Sequence, residues 1–209
     1  MPKPQKKKVK IVAIIGSVRP NNYTSKALAI AMDELKKYQK IQSEIIDPSQ
    51  FHLSLIGKEK GSSWRRLQRI VSQATGVILT TPEYHGSYSS TIKLVIDNLG
   101  YPSALAGKPV ALLGVASGAI GAIKALEHLR SVCSHIGAIV LPNPVSIAGI
   151  NGVFDKQGKC LDKNIENRIR SVAANLVDYI EKHICPLKVL EKLVGENEGT
   201  IDNSLFSKL

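Results

Sequence analysis

The chain has 209 residues, of which 44% are hydrophobic and 22% charged, and a formal net charge of +11; this balance is typical of a folded globular domain and not of a disordered chain. Its most apolar stretch, residues 109–123, contains glycines and is shorter than the roughly 20 residues that span a bilayer, so a membrane protein is not expected. The three cysteines form no Cys-x-x-Cys pair, which argues against a disulfide scaffold and a zinc knuckle and favours a reducing, cytoplasmic compartment.

Lysines are concentrated at the amino terminus, where residues 3–10 carry five lysines and no acid. Such a run can bind nucleic acid or a membrane surface, but a short charged terminus is more often a solvated extension. We therefore expect residues 1–8 to be a basic extension, with neither nucleic acid nor a membrane as partner. The remaining positive charge suits anionic small ligands such as phosphorylated cofactors.

Short apolar runs alternate with amphipathic segments along the chain. The first run, VKIVAII, is rich in β-branched residues and is typical of a strand buried on both faces. The predicted strands are residues 9–15, 41–46, 77–80, 110–116 and 138–141. Apolar residues at helical spacing predict helices over residues 27–35, 64–71, 92–99, 120–132 and 165–180, the third closed by Gly100 as a C-cap.

Strand and helix alternate five times, which predicts a parallel sheet with helices on both faces. The expected fold is α/β, a flavodoxin-like three-layer sandwich with five parallel strands in the order 2-1-3-4-5. We expect this domain to cover residues 9–185, with an excursion over 142–159 and a carboxyl-terminal tail over 186–209. In such sheets ligands bind beyond the carboxyl ends of the strands, near the switch point between strands one and three.

Strand one is followed by a polar segment, residues 16–25, with four hydroxyl side chains, two amides and Arg19. A phosphate there would meet hydroxyl groups, a guanidinium and the N-terminus of the following helix. The alternative is a capped turn, because Thr24 and Ser25 are good N-caps. The segment lacks the Gly-x-Gly-x-x-Gly of dinucleotide folds, so its side-chain donors favour a single monophosphate such as that of FMN.

Strand three is followed by the segment TTPEYHGSY, residues 80–88. Pro82 stiffens the turn, Gly86 permits close approach of a ligand, and Tyr84 could pack beside an isoalloxazine ring. The alternative is an ordinary loop between a strand and a helix, with Tyr84 packing at its rim.

The two segments GSVRPNNYTSKAL and TPEYHGSYSSTIKLVIDNLG together resemble the NADPH-dependent FMN reductase family, over roughly residues 9–180. The resemblance implies that one set of residues holds the FMN phosphate, a second contacts the ring and a third lies in the loop after strand four. These are, in turn, Ser17, Arg19, Tyr23, Thr24 and Ser25; Pro82, Glu83, Tyr84, His85 and Gly86; and Ser117 and Gly118, within residues 117–121. Asn22, Thr24 and His85 depart from the residues that many members carry at these positions.

The resemblance further implies an oxidoreductase in which hydride passes from NADPH, or NADH, to bound FMN and then to a small acceptor. The acceptor could be a quinone, free flavin, an azo dye or a metal oxyanion, and no protein residue is expected to be an obligatory acid or base. A homodimer or homotetramer is expected. The alternative is a flavodoxin-type electron carrier without NAD(P)H turnover, but such carriers dock through an acidic face and this chain is basic. His128 and His135 lack the further ligands of a metal site, and Cys133 is expected in the core.

Overall fold

The computed structural model describes residues 9–58, 63–187 and 190. The predicted basic extension, residues 1–8, and most of the predicted tail lie outside the described residues. The strands are β1 (Val9–Ile14), β2 (Ile41–Ile46), β3 (Gly76–Tyr84), β4 (Ser87–Tyr88), β5 (Pro109–Val115), β6 (Ile139–Val140) and β7 (Val145–Ile147). The α-helices are α1 (Tyr23–Leu35), α2 (Trp64–Ser72), α3 (Ser90–Asp97), α4 (Ile123–His135) and α5 (Lys163–Tyr179), and a π-helical turn (Ile180–Ile184) extends α5.

The parallel strands lie in the order β2-β1-β3-β5, followed by β6 and β7, which both pair with β5. The predicted flavodoxin-like order is confirmed, with its fifth position divided between two short strands. The division falls at residues 141–144, where two prolines flank Asn143, which has a φ of +59°. Proline has no N–H to donate to a ladder, so pairing stops and then resumes.

The two faces of the sheet carry separate apolar layers. Helices α1 and α5 pack on one face and helices α2, α3 and α4 on the other. Strand β3 shows why, because Ile78 joins the first layer while its neighbours Val77 and Leu79 join the second, as the period of two in a strand requires. The three-layer arrangement is therefore confirmed, and it leaves the carboxyl ends of β1, β3 and β5 free to carry polar loops.

Several element ends differ from the predictions. Strand β3 was predicted to end at residue 80 and runs to Tyr84, and α1 begins at Tyr23 and not at residue 27. Helix α4 begins at Ile123 and not at residue 120, because Gly121 has a φ of +79° and Ile120 is exposed. Helix α3 ends at Asp97 with Asn98 as its C-cap, in place of Gly100. The Asn98 amide nitrogen donates to the carbonyl oxygen of Leu94 at 2.8 Å, which satisfies one of the last carbonyls of that helix. The two-residue strand β4, which forms an antiparallel hairpin with β3, was not predicted.

Candidate functional site

A polar cleft of about 270 Å³ opens at the carboxyl ends of β1, β3 and β5. This is the switch point of the strand order, where α/β sheets bind ligands. The cleft is lined by Ser17, Arg19, Pro20, Asn21, Asn22, Tyr23, Thr24, Pro82, Glu83, Tyr84, Val115, Ala116, Ser117, Ile150 and Asn151. Four separate segments of the chain, residues 17–24, 82–84, 115–117 and 150–151, therefore meet at one place.

Most of the residues expected from the sequence line this cleft. They are Ser17, Arg19, Tyr23, Thr24, Pro82, Glu83, Tyr84 and Ser117. The other four are not part of its wall; Ser25, His85 and Gly118 directly follow lining residues in the chain, and Gly86 follows His85. The structure thus brings together the loops after β1, β3 and β5, as the fold predicts.

We call residues 16–22, between β1 and α1, the phosphate loop. At its start the chain passes so close to β3 that a Cβ on residue 16 would overlap the carbonyl oxygen of Thr80. Only glycine fits at this position. The loop therefore turns directly off the end of β1 and reaches the N-terminus of α1 within a few residues.

The N-cap of α1 is Asn22, and not Thr24 or Ser25 as the capped-turn alternative assumed. The Asn22 Oδ1 accepts from the Ser25 backbone N–H at 2.7 Å and from the Ser25 hydroxyl at 2.9 Å. Its amide nitrogen donates to the carbonyl oxygen of Arg19 at 2.7 Å. Asparagine caps well because its short side chain reaches back to the first helical turn. The Ser25 side chain is thereby committed to the cap, which removes it as a direct donor in this arrangement.

Thr24 and Ser17 present polar groups to the cleft. Thr24 is 2% exposed and lines the cleft from the first turn of α1. Ser17 is 4% exposed, and its Oγ accepts from the Arg19 backbone N–H at 3.4 Å, which leaves its own hydrogen available. The first turn of α1 contains no acidic residue, so the partial positive charge of the helix N-terminus is not neutralised there. The chemistry of this set suits a phosphate.

Strands β3 and β4 form a hairpin whose tip, residues 83–88, lies across the cleft from the phosphate loop. We call residues 83–88 the ring loop. Tyr84 pairs with Ser87 across a two-residue turn in which His85 and Gly86 both have positive φ, +50° and +73°. Two consecutive positive φ values define a type I′ turn. The turn directs His85 away from the cleft wall, whereas Tyr84 lines it and is 37% exposed.

Glu83 has a structural contact that the sequence did not reveal. Its Oε2 accepts from the backbone N–H of Ala125 at 3.0 Å, in the first turn of α4. The N-cap of α4 is Ala122, which has no side chain able to cap. A carboxylate at a helix N-terminus is stabilised by the helix dipole. Glu83 therefore ties the ring loop to α4 with its carboxylate, and the same residue lines the cleft.

The excursion after β7 closes the third side, which sequence reasoning missed. A 3₁₀ turn (Ile150–Gly152) brings Ile150 and Asn151 to the cleft. The Ser117 hydroxyl donates to Asn151 Oδ1 at 3.3 Å, and Phe154 stacks on Tyr23 with ring centroids 6.3 Å apart. The only local signal was the glycine-flanked sequence GING, which predicts a turn but not its place in the fold.

Outside the cleft, several candidates have a structural explanation. Cys133 is buried among apolar side chains, as expected, and burial raises the pKa of its thiol to about 12. The His128 Nδ1 lies 3.0 Å from the Ser87 hydroxyl, so this histidine supports the ring loop. Among the described residues there is no group of three or more histidines, cysteines or acids that could hold a metal ion. The described helices include none with the length and apolar content needed to cross a bilayer.

Residues 9–152 match the family model described as NADPH-dependent FMN reductase. An NAD(P)H-dependent FMN reductase of Pseudomonas aeruginosa is 28% identical over 166 residues, which cover 78% of this chain and 90% of that protein. An FMN-dependent NADPH-azoreductase of Staphylococcus aureus is 29% identical over 182 residues, covering 82% and 95% of the two chains. The solved structure of FerB, a flavoenzyme NAD(P)H:(acceptor) oxidoreductase of Paracoccus denitrificans, superposes with a TM-score of 0.72 at 23% identity, covering 84% of this chain and 98% of the other. The last likeness concerns the fold.

Proposed function

This chain belongs to the NADPH-dependent FMN reductase family, and from that premise we propose that the polar cleft holds FMN with its phosphate at the N-terminus of α1 and its ring against the ring loop. The family makes the protein an FMN-dependent oxidoreductase that uses NAD(P)H. The placement of the cofactor is supported by the residues of the cleft. The phosphate would lie among Ser17, Arg19 and Thr24, and the ring beside Tyr84.

The observation that carries this placement is the convergence of the Ser17 and Thr24 hydroxyls and the N-terminus of α1 on one cleft. Thr24 lines the cleft in the first turn of that helix and is 2% exposed. A phosphate oxygen there would accept from Thr24, from Ser17 and from the backbone N–H groups of the first helical turn. One terminal phosphate satisfies all these donors, and the loop needs no further glycines to approach it.

FMN bound in the cleft would supply the redox chemistry that links hydride donation by NAD(P)H to reduction of an acceptor. The chain's own part is to bind and orient. The phosphate loop fixes one end of the cofactor, and the ring loop, anchored by Glu83 on α4, sets the plane against which the ring packs. Tyr84 and Ser117 lie at the exposed mouth of the cleft, so a planar acceptor would reach the same face as the nicotinamide.

We infer that the acceptor is a quinone, an azo dye, free flavin or a metal oxyanion. An electron carrier is disfavoured, because carriers dock through acidic faces and this chain has 28 basic against 17 acidic residues. A homodimer or homotetramer and a cytoplasmic location are part of the same proposal, the latter supported by three free cysteines among the described residues.

The test begins with the purified full-length protein. It should be yellow, and the flavin released on denaturation should co-elute with FMN and not with FAD. Under anaerobic conditions, NADPH should bleach the visible absorbance band of the flavin. Addition of a benzoquinone or an azo dye should restore this band, and excess NADPH should be consumed over multiple turnovers. A colourless protein that takes up no added FMN would disprove the proposal, and reduction without turnover on any acceptor would favour the carrier. Light scattering at micromolar concentration gives the oligomeric state.

A further inference from the structure

Three hydroxyl side chains are buried beneath the cleft without forming part of its wall. Thr80, Thr81 and Ser89 are 0–2% exposed; the two threonines lie in the middle of β3, and Ser89 is the N-cap of α3. None of them lines the cleft. Each has hydrogen-bond partners, so they are not free donors for a ligand.

Thr80 joins β3 to the end of β1. Its Oγ1 donates to the carbonyl oxygen of Ile14 at 2.8 Å and accepts from the backbone N–H of Gly16 at 3.3 Å. Ile14 is the last residue of β1, and Gly16 is the first of the phosphate loop. One hydroxyl therefore bridges the point where the strand stops and the loop departs.

Ser89 forms a hydrogen bond with the carbonyl group of Gly16, the second backbone polar group of this residue. Its hydroxyl donates to the carbonyl oxygen of Gly16 at 2.5 Å and accepts from the backbone N–H of Ile92 at 3.1 Å, as the N-cap of α3. The Ser89 backbone N–H in turn donates to Thr81 Oγ1 at 3.0 Å. The phosphate loop is thus connected through hydroxyls to β3 and to the helix that follows the ring loop.

Both backbone polar groups of Gly16 end on these side chains, and the next residue is Ser17, at the cleft. We propose that Thr80 and Ser89 are positioning residues that fix the phosphate loop through Gly16 and so determine the affinity for a flavin that carries a phosphate. The inference rests on the proposed function. It assigns the geometry of the phosphate site to hydroxyls that never touch the cofactor.

The hydroxyls would affect FMN affinity by changing the fraction of molecules in which the phosphate loop has its binding conformation. Thr80→Val keeps the shape of the side chain but removes its hydroxyl, so the Gly16 N–H and the Ile14 carbonyl lose a partner. The loop can then leave the binding position to find other partners. If the competent arrangement is populated about one tenth of the time, the apparent affinity falls about tenfold.

The experiment titrates flavin-free, full-length protein with FMN and with riboflavin, which has the same ring but no phosphate. Thr80→Val should weaken FMN about tenfold and riboflavin less than about twofold, and Thr80→Ser, which restores the hydroxyl, should recover FMN binding. The matched control is Thr75→Val. The Thr75 hydroxyl also accepts from a β1 backbone N–H, that of Lys10 at 3.3 Å, but at the amino end of β1, away from the cleft. Thr75→Val should leave the affinities for FMN and for riboflavin unchanged.

Ser89→Ala and Ser89→Thr repeat the comparison should Thr80→Val fail to give a native circular dichroism spectrum. Equal losses for the two flavins, or no recovery in the variants that keep a hydroxyl, would overturn the positioning role while the wild type still binds FMN. A wild type that binds no FMN would overturn the proposed function itself, and this inference with it.

Discussion

The guanidinium carbon of Arg19 lies 5.0 Å from the centroid of the Tyr84 ring. One residue belongs to the phosphate loop and the other to the ring loop, so a cation–π contact joins the two walls of the cleft. Arg19 is exposed, and its guanidinium can exchange this contact for a phosphate oxygen without a large movement of the backbone. Charge-assisted hydrogen bonds to phosphate are the stronger of the two contacts.

Arg19→Ala should weaken FMN roughly 10- to 150-fold, because a hydrogen bond to a charged group contributes about 1.5–3 kcal/mol. Riboflavin affinity should barely change, since it has no phosphate. Fluorescence quenching of each flavin by the flavin-free protein measures both. Arg65→Ala is the control, because Arg65 lies over Trp64, away from the cleft. Equal losses for both flavins would show that Arg19 acts mainly through Tyr84.

Glu83→Ala should lower the free energy of unfolding by about 1–2 kcal/mol, the usual cost of losing a helix cap with its favourable charge. Glu83→Gln keeps an oxygen that can accept from the Ala125 N–H, so it should lose less than half as much. Urea denaturation followed by circular dichroism compares the three proteins. If the Glu83→Gln and Glu83→Ala variants are equally destabilised, Glu83 does not stabilise the protein through its hydrogen bond to α4.

His85→Asn should stabilise the ring loop by about 0.5 kcal/mol, because asparagine adopts positive φ more readily than histidine in a type I′ turn. His85→Val should destabilise the protein by about 1–2 kcal/mol, since a β-branched residue is strained at positive φ. Thermal unfolding distinguishes the two. Shifts of the melting temperature in the same direction would contradict the turn geometry seen here.

Arg170 ties α5 to α1 and makes that contact dependent on pH. It bonds Glu166 at 2.8 Å, Asp33 at 3.0 Å and Glu34 at 3.3 Å. Hydrogen bonds from Arg170 lower the pKa of Asp33 and of Glu166 below their ordinary values. A carboxylate with a lowered folded pKa stabilises the protein above its unfolded pKa and loses that contribution as pH falls through the folded value.

Arg170→Met should therefore destabilise the protein near neutral pH, and the difference from wild type should shrink as pH falls below about 4. Urea denaturation at several pH values measures it. Lys182→Met controls for the loss of one positive charge, because Lys182 pairs with Asp178 within a single helical segment. A difference that stays constant down to pH 3 would mean that the ion pairs do not carry the effect.

Much of this architecture follows from local pattern. The continuous apolar run at the start predicted β1 to within one residue, because a strand buried on both faces has few alternatives. The start of α4 was missed because Ile120 fits the helical spacing by coincidence, and only the conformation of Gly121 shows that the helix has not begun. Periodicity does not reveal backbone breaks.

The supporting residues of the cleft could not be found from the sequence. Thr80 and Ser89 bond residues 64 to 73 positions away. Asn151 is brought to Ser117 as the excursion packs on Tyr23 through Phe154. Such contacts depend on the tertiary arrangement and leave no local spacing to recognise. The polar segments that carry the cleft residues were predictable because they follow directly after buried apolar runs, although β3 continues to Tyr84, beyond its predicted end.

Strand β3 runs from the core to the base of the hairpin, and it pairs with β5 as far as Pro82. The loop after β5, residues 117–120, is by contrast exposed throughout. Amide hydrogens in the buried part of β3 should therefore exchange with deuterated water only through global opening, and those of residues 117–120 within seconds to minutes. The wall of the cleft formed by β3 would thus be as stable as the core, whereas the wall formed by residues 117–120 would open locally. Acceptors of different size would therefore be accommodated by movement of the loop after β5.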